Sequence, residues 1–287
     1  MVSAPRFMMR PMSSEPTTDV VLEAPKVLEA KSRRRAWSLV TKACVPVAIL
    51  IGWTLLAKSS LVPPLTMPTP WGTWIELRAM WHQQDLAGNL AVSLVRVFWG
   101  LLFGATFGFV VGLISGLSKI GEELFDATLQ SLRAIPFIAL IPLFILWFGI
   151  GEMPKILVVA LASYFPMYIN TASGVRNVDR KVVEAAKTFG VTRFTLLRQV
   201  FLPLALPQML TGLSLSMVIS ILALVAGEQI SSSNGIGYLL TQSQAYQRNY
   251  EVFACVVIYA LMGLVAASIV SLVERLFLKW REGVAVR

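Results

Sequence analysis

Residues able to carry covalent chemistry are few in this chain and do not gather. The sole histidine, His82, lies among polar residues with no partner that can be named, as a solvated side chain would. There is no H-E-x-x-H helix, no G-x-x-x-x-G-K-[ST] phosphate loop and no cysteine–histidine cluster with metal-ligand spacing. Cys44 and Cys255 both fall inside apolar runs and read as small buried hydrophobes, not as a disulfide. Ser214 and Ser216, in "GLSLSM", sit where an intramembrane serine nucleophile would. Such a nucleophile needs a base within the membrane, and no apolar run contains a histidine. No enzyme is expected.

Polar groups inside apolar runs offer non-covalent chemistry instead. Tyr164, Tyr168 and Thr171 recur at i, i+4 and i+7 beside Pro166, on one helical face. That stripe is a candidate translocation path, and interhelical hydrogen bonding is an equal reading. Gln208, Thr211, Ser214, Ser216 and Ser220 cover more than half the circumference of a helix and define no face. No Asp or Glu falls centrally in an apolar run, Glu228 and Asp126 being placed at edges. This counts against a proton- or sodium-coupled carrier, which uses ionisable groups or broken-helix ion sites near the midplane.

The elements that must position these groups are membrane helices. The 287 residues are 56% hydrophobic and 14% charged, against roughly 25% charged in a soluble domain. The charge deficit falls in runs long enough to cross ~30 Å of hydrocarbon. Six spans are expected: 36–57, 97–117, 134–150 (broken by Pro136 and Pro142), 156–175 (with Pro166), 204–227 and 252–273. Lys42 can snorkel from the first. The fold class is therefore all-α, a polytopic membrane protein with six transmembrane helices.

A net charge of +9 is distributed as an orientation signal, not as a nucleic-acid surface. Lys and Arg number seven in the N-terminal tail, two in the second-to-third loop, six in the fourth-to-fifth loop and four in the C-terminal tail. The other side carries three, one and one. Both termini and the loop around 179–203 are thereby expected in the cytoplasm. Residues 1–35 lack an apolar signal-peptide core and read as a mobile cytoplasmic tail, 36–280 as the membrane domain and 281–287 as a short cytoplasmic tail. The 58–96 loop is expected outside, with Trp71, Trp74 and Trp81 as an interfacial belt and "WIELRAMW" as a short interfacial helix.

Gly100, Gly104, Gly108, Gly112 and Gly116 recur every fourth residue. Each step overshoots a full turn by about 40°, so they form a slowly winding groove that admits another helix backbone. Helix packing is the reading preferred over a pore.

One polar stretch breaks the apolar pattern: "EAAKTFGVTRFTLLRQVFLP", residues 184–203. Asp179 can cap a helix ending at Gly190, and Thr192 a second one ended by Pro203. Val182, Ala186 and Phe189 share a face of the first, and Phe194, Leu197 and Phe201 a face of the second. Helices this short need a support, either headgroups or another protein.

The stretch resembles the EAA signature of permease subunits of bacterial ABC importers. Glu184, Ala185, Ala186, Gly190, Val200, Leu202 and Pro203 stand at matching spacing, with Val200 where isoleucine is commoner. Similarity extends over about residues 90–280, through "NLAVSLVRVFWG", "RAIPFIALIPLFILWFGIG" and "GEQISSSNGIGYLL", and is nearest the nitrate, sulfonate, taurine and bicarbonate branch, leaning to sulfonate or taurine permeases. The resemblance implies type I importer permease architecture in the bacterial inner membrane. It implies a homodimer, two ATPase subunits that receive the 179–203 loop as a coupling segment, and an extracytoplasmic binding protein. No cofactor is then expected in this chain, ATP and Mg being bound by the ATPase. A secondary carrier or channel with a membrane-lying loop is the alternative.

Overall fold

The computed structural model describes residues 44–59, 63 and 66–278. The two tails and residues 36–43 of the expected first span, with Lys42, lie outside the described residues. The chain divides into a unit ending at Val62 and a second one, Pro63–Arg287. The first contains α1 (Cys44–Lys58), whose Cys44 is exposed and not buried as expected.

The second unit is built from helices, with no strand among the described residues: α2 (Pro70–Gln83), α3 (Leu86–Leu117), α4 (Lys119–Arg133), a 3₁₀ turn (Phe137–Leu140), α5 (Ile141–Phe148), α6 (Glu152–Arg176), α7 (Arg180–Thr188), α8 (Arg193–Leu196), a π turn (Leu197–Phe201), α9 (Leu202–Ser231), α10 (Ile236–Ala245) and α11 (Asn249–Phe277). Residues 86–117, 152–176, 193–231 and 249–277 are each long and apolar enough to cross a membrane. Six spans are not found among the described residues. The four become five if α4 and the 137–148 segment, bent by 85° at their junction, form one broken span, and the described part of α1 is shorter than a span by itself.

Three boundaries differ from expectation for physical reasons. The 134–150 run is not one span, because Pro136 holds extended backbone (φ −60°, ψ 119°) and α5 has only eight residues. Its membrane length would have to come from α4, which the sequence presents as a charged loop. The second span starts at Leu86 instead of Val97, under an Asp85 cap that accepts from the Gly88 amide at 3.2 Å. Arg96 therefore lies inside a 32-residue helix. The third difference is at Pro203, which does not end a helix. It sits at the second position of α9, directly after the π turn, whose wider coil takes up the register a proline ring disturbs.

α6 is the central helix: half of its apolar window is buried, against 22% for α3 and α11. One side packs on α3 across the expected glycine groove. A Cβ on Gly108 would lie 2.5 Å from the Tyr164 carbonyl oxygen, and one on Gly112 2.6 Å from that of Tyr168. Gly100 and Gly116 lie likewise against Val159 and Val175, and Gly104 against Ala160 and Ser163. The other side meets α9, where Gly174 faces Ala205 and Gln208, and Gly212 faces Asn170. Ser216 Oγ donates to the Ser163 carbonyl at 2.7 Å and Gln208 Nε2 to Asn170 Oδ1 at 2.8 Å. Small residues that admit backbone contact, with polar side chains bridging them, hold membrane helices together without help from a hydrophobic effect.

Candidate functional site

Three sites are arranged along the α3–α6–α9 layer. The first is the 179–203 segment. Asp179 Oδ1 accepts from the Lys181 amide at 2.9 Å, capping α7. Gly190 has φ +74°, and the amides of Gly190 and Val191 reach back to the carbonyls of Lys187 and Ala186 at 3.0 and 3.4 Å. This left-handed Schellman ending turns the chain sharply and suits glycine. Thr192 then caps α8, its Oγ1 accepting from the Thr195 amide at 3.3 Å.

α7 has no buried residue. Glu184, Ala185 and Gly190 are exposed and Ala186 is half-buried. Val182, Phe189 and Phe194 are exposed as well, Phe189 by 86%. Val200, Leu202 and Pro203 are half-buried, with Leu202 packed on a core of Met167, Val175, Ala205 and Met209. The segment thus has a half projecting from the fold and a half rooted in it through α9.

The second site was not visible in the sequence. Arg96 of α3, 1% exposed, is ringed by acceptors. Its Nε donates to Glu152 Oε2 at 2.5 Å and its Nη2 to Glu152 Oε1 at 2.7 Å, a bidentate pair. Nη1 donates to Glu228 Oε1 at 2.6 Å and to the Asn234 carbonyl at 2.9 Å, and Nη2 also to Asn234 Oδ1. All five guanidinium hydrogens are thereby used. Glu228 is also engaged by Ser93 Oγ at 2.7 Å and the Gly237 amide at 2.8 Å, with Tyr259 OH at 3.4 Å. Lys155 Nζ adds a bond to Glu152 Oε1 at 3.2 Å.

The loop between α9 and α10 needs its glycines here: Gly235 has φ +103°, and a Cβ on it would meet the Glu228 carboxylate and Arg96 Nη1. Glu228 lies in the last turn of α9, at the edge of the span as expected, and is 1% exposed. The signal for this site lay in the run Gly227-Glu228…Asn234-Gly235-Ile236-Gly237, whose glycines mark close backbone approach to a carboxylate.

The third site closes the opposite end of α3 and α6. Arg176 Nη1 donates to Asp126 Oδ2 at 2.6 Å and lies 3.5 Å from Glu122 Oε1. Its Nη2 donates to Ser115 Oγ at 2.6 Å and to Asp126 Oδ1 at 3.0 Å. Ser115 Oγ donates to Asp126 Oδ1 at 2.7 Å, and Tyr168 OH to the same oxygen. Asp126 is thus in mid-α4 and ties that helix to α6. The expected Tyr164–Tyr168–Thr171 stripe runs toward this cluster. Tyr168 and Thr171 are buried, Tyr164 is half-buried, and the two tyrosine rings stack 6.0 Å apart. A cavity of about 420 Å³ opens beside them between α4 and α6. His82 is exposed in the last turn of α2, remote in sequence from these groups.

Known proteins resemble this chain at two levels. It is 36% identical over 257 residues to SsuC of Bacillus subtilis (strain 168), named as an aliphatic sulfonates transport permease, covering 90% of this chain and 93% of that one. The Escherichia coli (strain K12) SsuC, of the same description, is 39% identical over 82% of this chain and 90% of its own length. TauC of Escherichia coli (strain K12), a taurine transport system permease, is 30% identical over 87% of this chain and 94% of its own.

Among solved structures, an amino acid ABC transporter with histidines aligns with a TM-score of 0.57 at 19% identity, over 69% of this chain and 97% of that one. The MetNI methionine ABC transporter in inward-facing conformations aligns at 0.50, again at 19% identity, over 72% and 99%. These two likenesses show the fold, that of a type I ABC importer permease. Residues 104–279 match the model of one family, and that stretch contains Gly104 to Gly116 of the glycine groove, the exposed 179–203 segment and the Glu228 loop. The chain is a multi-pass permease subunit, not an enzyme, and it belongs to the family described as binding-protein-dependent transport system inner membrane component.

Proposed function

We propose that the chain is the permease of an ATP-driven importer for a small organic anion, an aliphatic sulfonate or taurine. It pairs with a second copy of itself and with two ATPase subunits, which bind ATP and Mg, and receives substrate from an extracytoplasmic binding protein. Both termini and the 179–203 segment face the cytoplasm. Closure of the ATPases around ATP draws the two coupling segments together and opens the path outward, and hydrolysis resets it.

The observation that carries this reading is α7: a capped nine-residue helix with no buried residue, with Val182 exposed on it and Phe189 exposed at its end. A helix this short is not stable on propensity alone and requires a surface to lean on. Glu184, Ala185 and Ala186 offer a slim surface for an ATPase groove. Gly190 sets the angle, and Val200, Leu202 and Pro203 root the segment in α9. Gly100 to Gly116 hold α3 on α6 as a unit that moves with it, and Tyr164, Tyr168 and Thr171 border the path. The substrate class rests on the sulfonate and taurine permeases among the relatives.

The test is copurification joined to uptake. The chain should retain an ATPase subunit through residues 179–203 and, with a binding protein, should import labelled aliphatic sulfonate or taurine into proteoliposomes only with ATP. Transport without an ATPase would instead make it a secondary carrier.

A further inference from the structure

Arg133, at the end of α4, has no ion-pair partner among the described residues. It lines the cavity of about 420 Å³ between α4 and α6. On the same wall Arg176 is held by Asp126 in a two-pronged pair at 2.6 and 3.0 Å and by Glu122 at 3.5 Å. Arg133 is the lining cation that no carboxylate holds among the described residues. The remaining walls divide by chemistry: Ser173 and Asn177 are polar, while Leu129, Phe165, Ile169 and Ala172 are apolar.

We propose that this cavity is a binding site for the transported anion on its way into the cytoplasm, with Arg133 as the contact for a sulfonate head and Phe165 and Ile169 as the wall for its alkyl tail. The inference rests on the sulfonate reading of the preceding section. A guanidinium meets a tetrahedral oxyanion with paired donors, and hydroxyl and amide groups such as Ser173 and Asn177 can serve the third oxygen. The volume falls in the range of about 300–1,000 Å³ common to small-molecule sites, and an apolar lining with few polar groups is their usual make-up. The place is also apt. Arg176 and Asn177 of the wall lead directly into Asp179 and α7, so an occupant sits within one turn of the coupling segment.

The test uses the permease–ATPase complex in nanodiscs without any binding protein, titrated with ethanesulfonate and octanesulfonate. Uptake by the complete system in proteoliposomes is measured alongside. Wild type should bind both. Arg133→Gln should raise both dissociation constants about 10-fold or more, in line with loss of a charged hydrogen bond, whereas Arg133→Lys should keep most of the affinity. Ile169→Trp should weaken octanesulfonate several-fold and leave ethanesulfonate nearly unchanged, a change of chain-length preference that a purely structural residue would not produce.

Wild-type uptake of sulfonates combined with equal binding by Arg133→Gln, or with no binding by the complex, overturns the site and leaves the importer standing. An intact system that imports no sulfonate overturns the substrate reading and the site with it.

Discussion

The two ends of the α3–α6 pair are both closed by an arginine between carboxylates, and they are built on opposite terms. At one end Arg96 is 1% exposed and its partner Glu228 is fully buried, while its bidentate partner Glu152 is 53% exposed. The group joins α3, α6, α9, the 232–235 loop, α10 and α11. At the other end Arg176 is 30% exposed, Asp126 22% and Glu122 50%. That group joins only α3, α4 and α6. A buried ion pair with all donors and acceptors used cannot open part-way without stranding a charge. A half-exposed pair can exchange its partner for water at little cost. The Arg96 end is suited to act as a fixed hinge-point, and the Arg176 end, next to α7, to be the one that shifts when the coupling segment is pulled.

The largest effect is expected where the difference is greatest. Glu228→Ala takes away the buried carboxylate of Arg96, leaving it only the half-exposed Glu152, and removes the acceptor of Ser93 and of the Gly237 amide. The expected cost is about 3–5 kcal/mol, read as a collapse of membrane abundance and of the unfolding midpoint in mixed micelles. Arg96→Gln combined with Glu228→Gln should be milder than the sum of the two single changes, because neither charge is then left alone. Additive losses would show that the pair is not a unit, and the contrast between the ends would fail.

Next in size comes the groove that joins the two ends. Gly104→Leu pushes a branched side chain into the Ala160 carbonyl and Ser163, and overpacking of this kind costs about 1–3 kcal/mol. Gly263 of α11 has nothing within 4 Å of an added Cβ. Gly263→Ala should therefore leave stability and assembly unchanged. Equal damage by the two variants would show that backbone contact does not set Gly104 apart, since helix propensity alone favours both substitutions.

How much of this was legible in the sequence follows the range of the interactions. The spacing of Gly100 to Gly116 is local, so the groove could be read; that its far wall is α6 could not. The turn at Gly190 is also local, since Asp179, Gly190 and Thr192 each act within four residues. Arg96 was hidden because a charge looks like the end of an apolar run. What makes it tolerable inside α3 lies 56 and 132 residues away, in Glu152 and Glu228. α4 looked like a loop for the same reason, its charges being answered by Arg176, 50 residues beyond Asp126. Pro203 misled in the other direction. A proline ends a helix that continues as α, and the π turn before it carries no plain sequence mark.

A further variant separates stability from transmission. Gly190→Val forces a β-branched residue into φ +74°, at about 1–2 kcal/mol or more. Nothing lies within 4 Å of an added Cβ there, so strain and not collision is the only cost. The fold of the α3–α6–α9 layer should survive with normal membrane abundance, because α7 buries no residue in it. Uptake and substrate-stimulated ATP hydrolysis should be lost, with binding-protein interaction retained. Unimpaired uptake would show that the turn is not needed for coupling.

The smallest effect should come from the Arg176 end, and it decides whether that end can yield. Asp126→Asn keeps Oδ1 as an acceptor for Ser115 and Tyr168 and removes the charge and the Oδ2 acceptor that face Arg176 Nη1. Both partners are partly solvated, so the charge–charge contribution is expected to be about 1 kcal/mol or less and to shrink as salt is raised. A double-mutant cycle over Asp126→Asn and Arg176→Gln, run at low and high ionic strength, measures that coupling directly. The corresponding Arg96–Glu228 cycle should give a coupling several times larger, with little dependence on salt because no solvent reaches the pair. If the two cycles return the same coupling and the same salt response, exposure does not distinguish the ends. The assignment of one as fixed and the other as yielding would then have no physical basis. If they separate as expected, a permease with Asp126→Asn should remain stable yet couple less well, since the weakened tie no longer carries α4 along with the α7 end of α6.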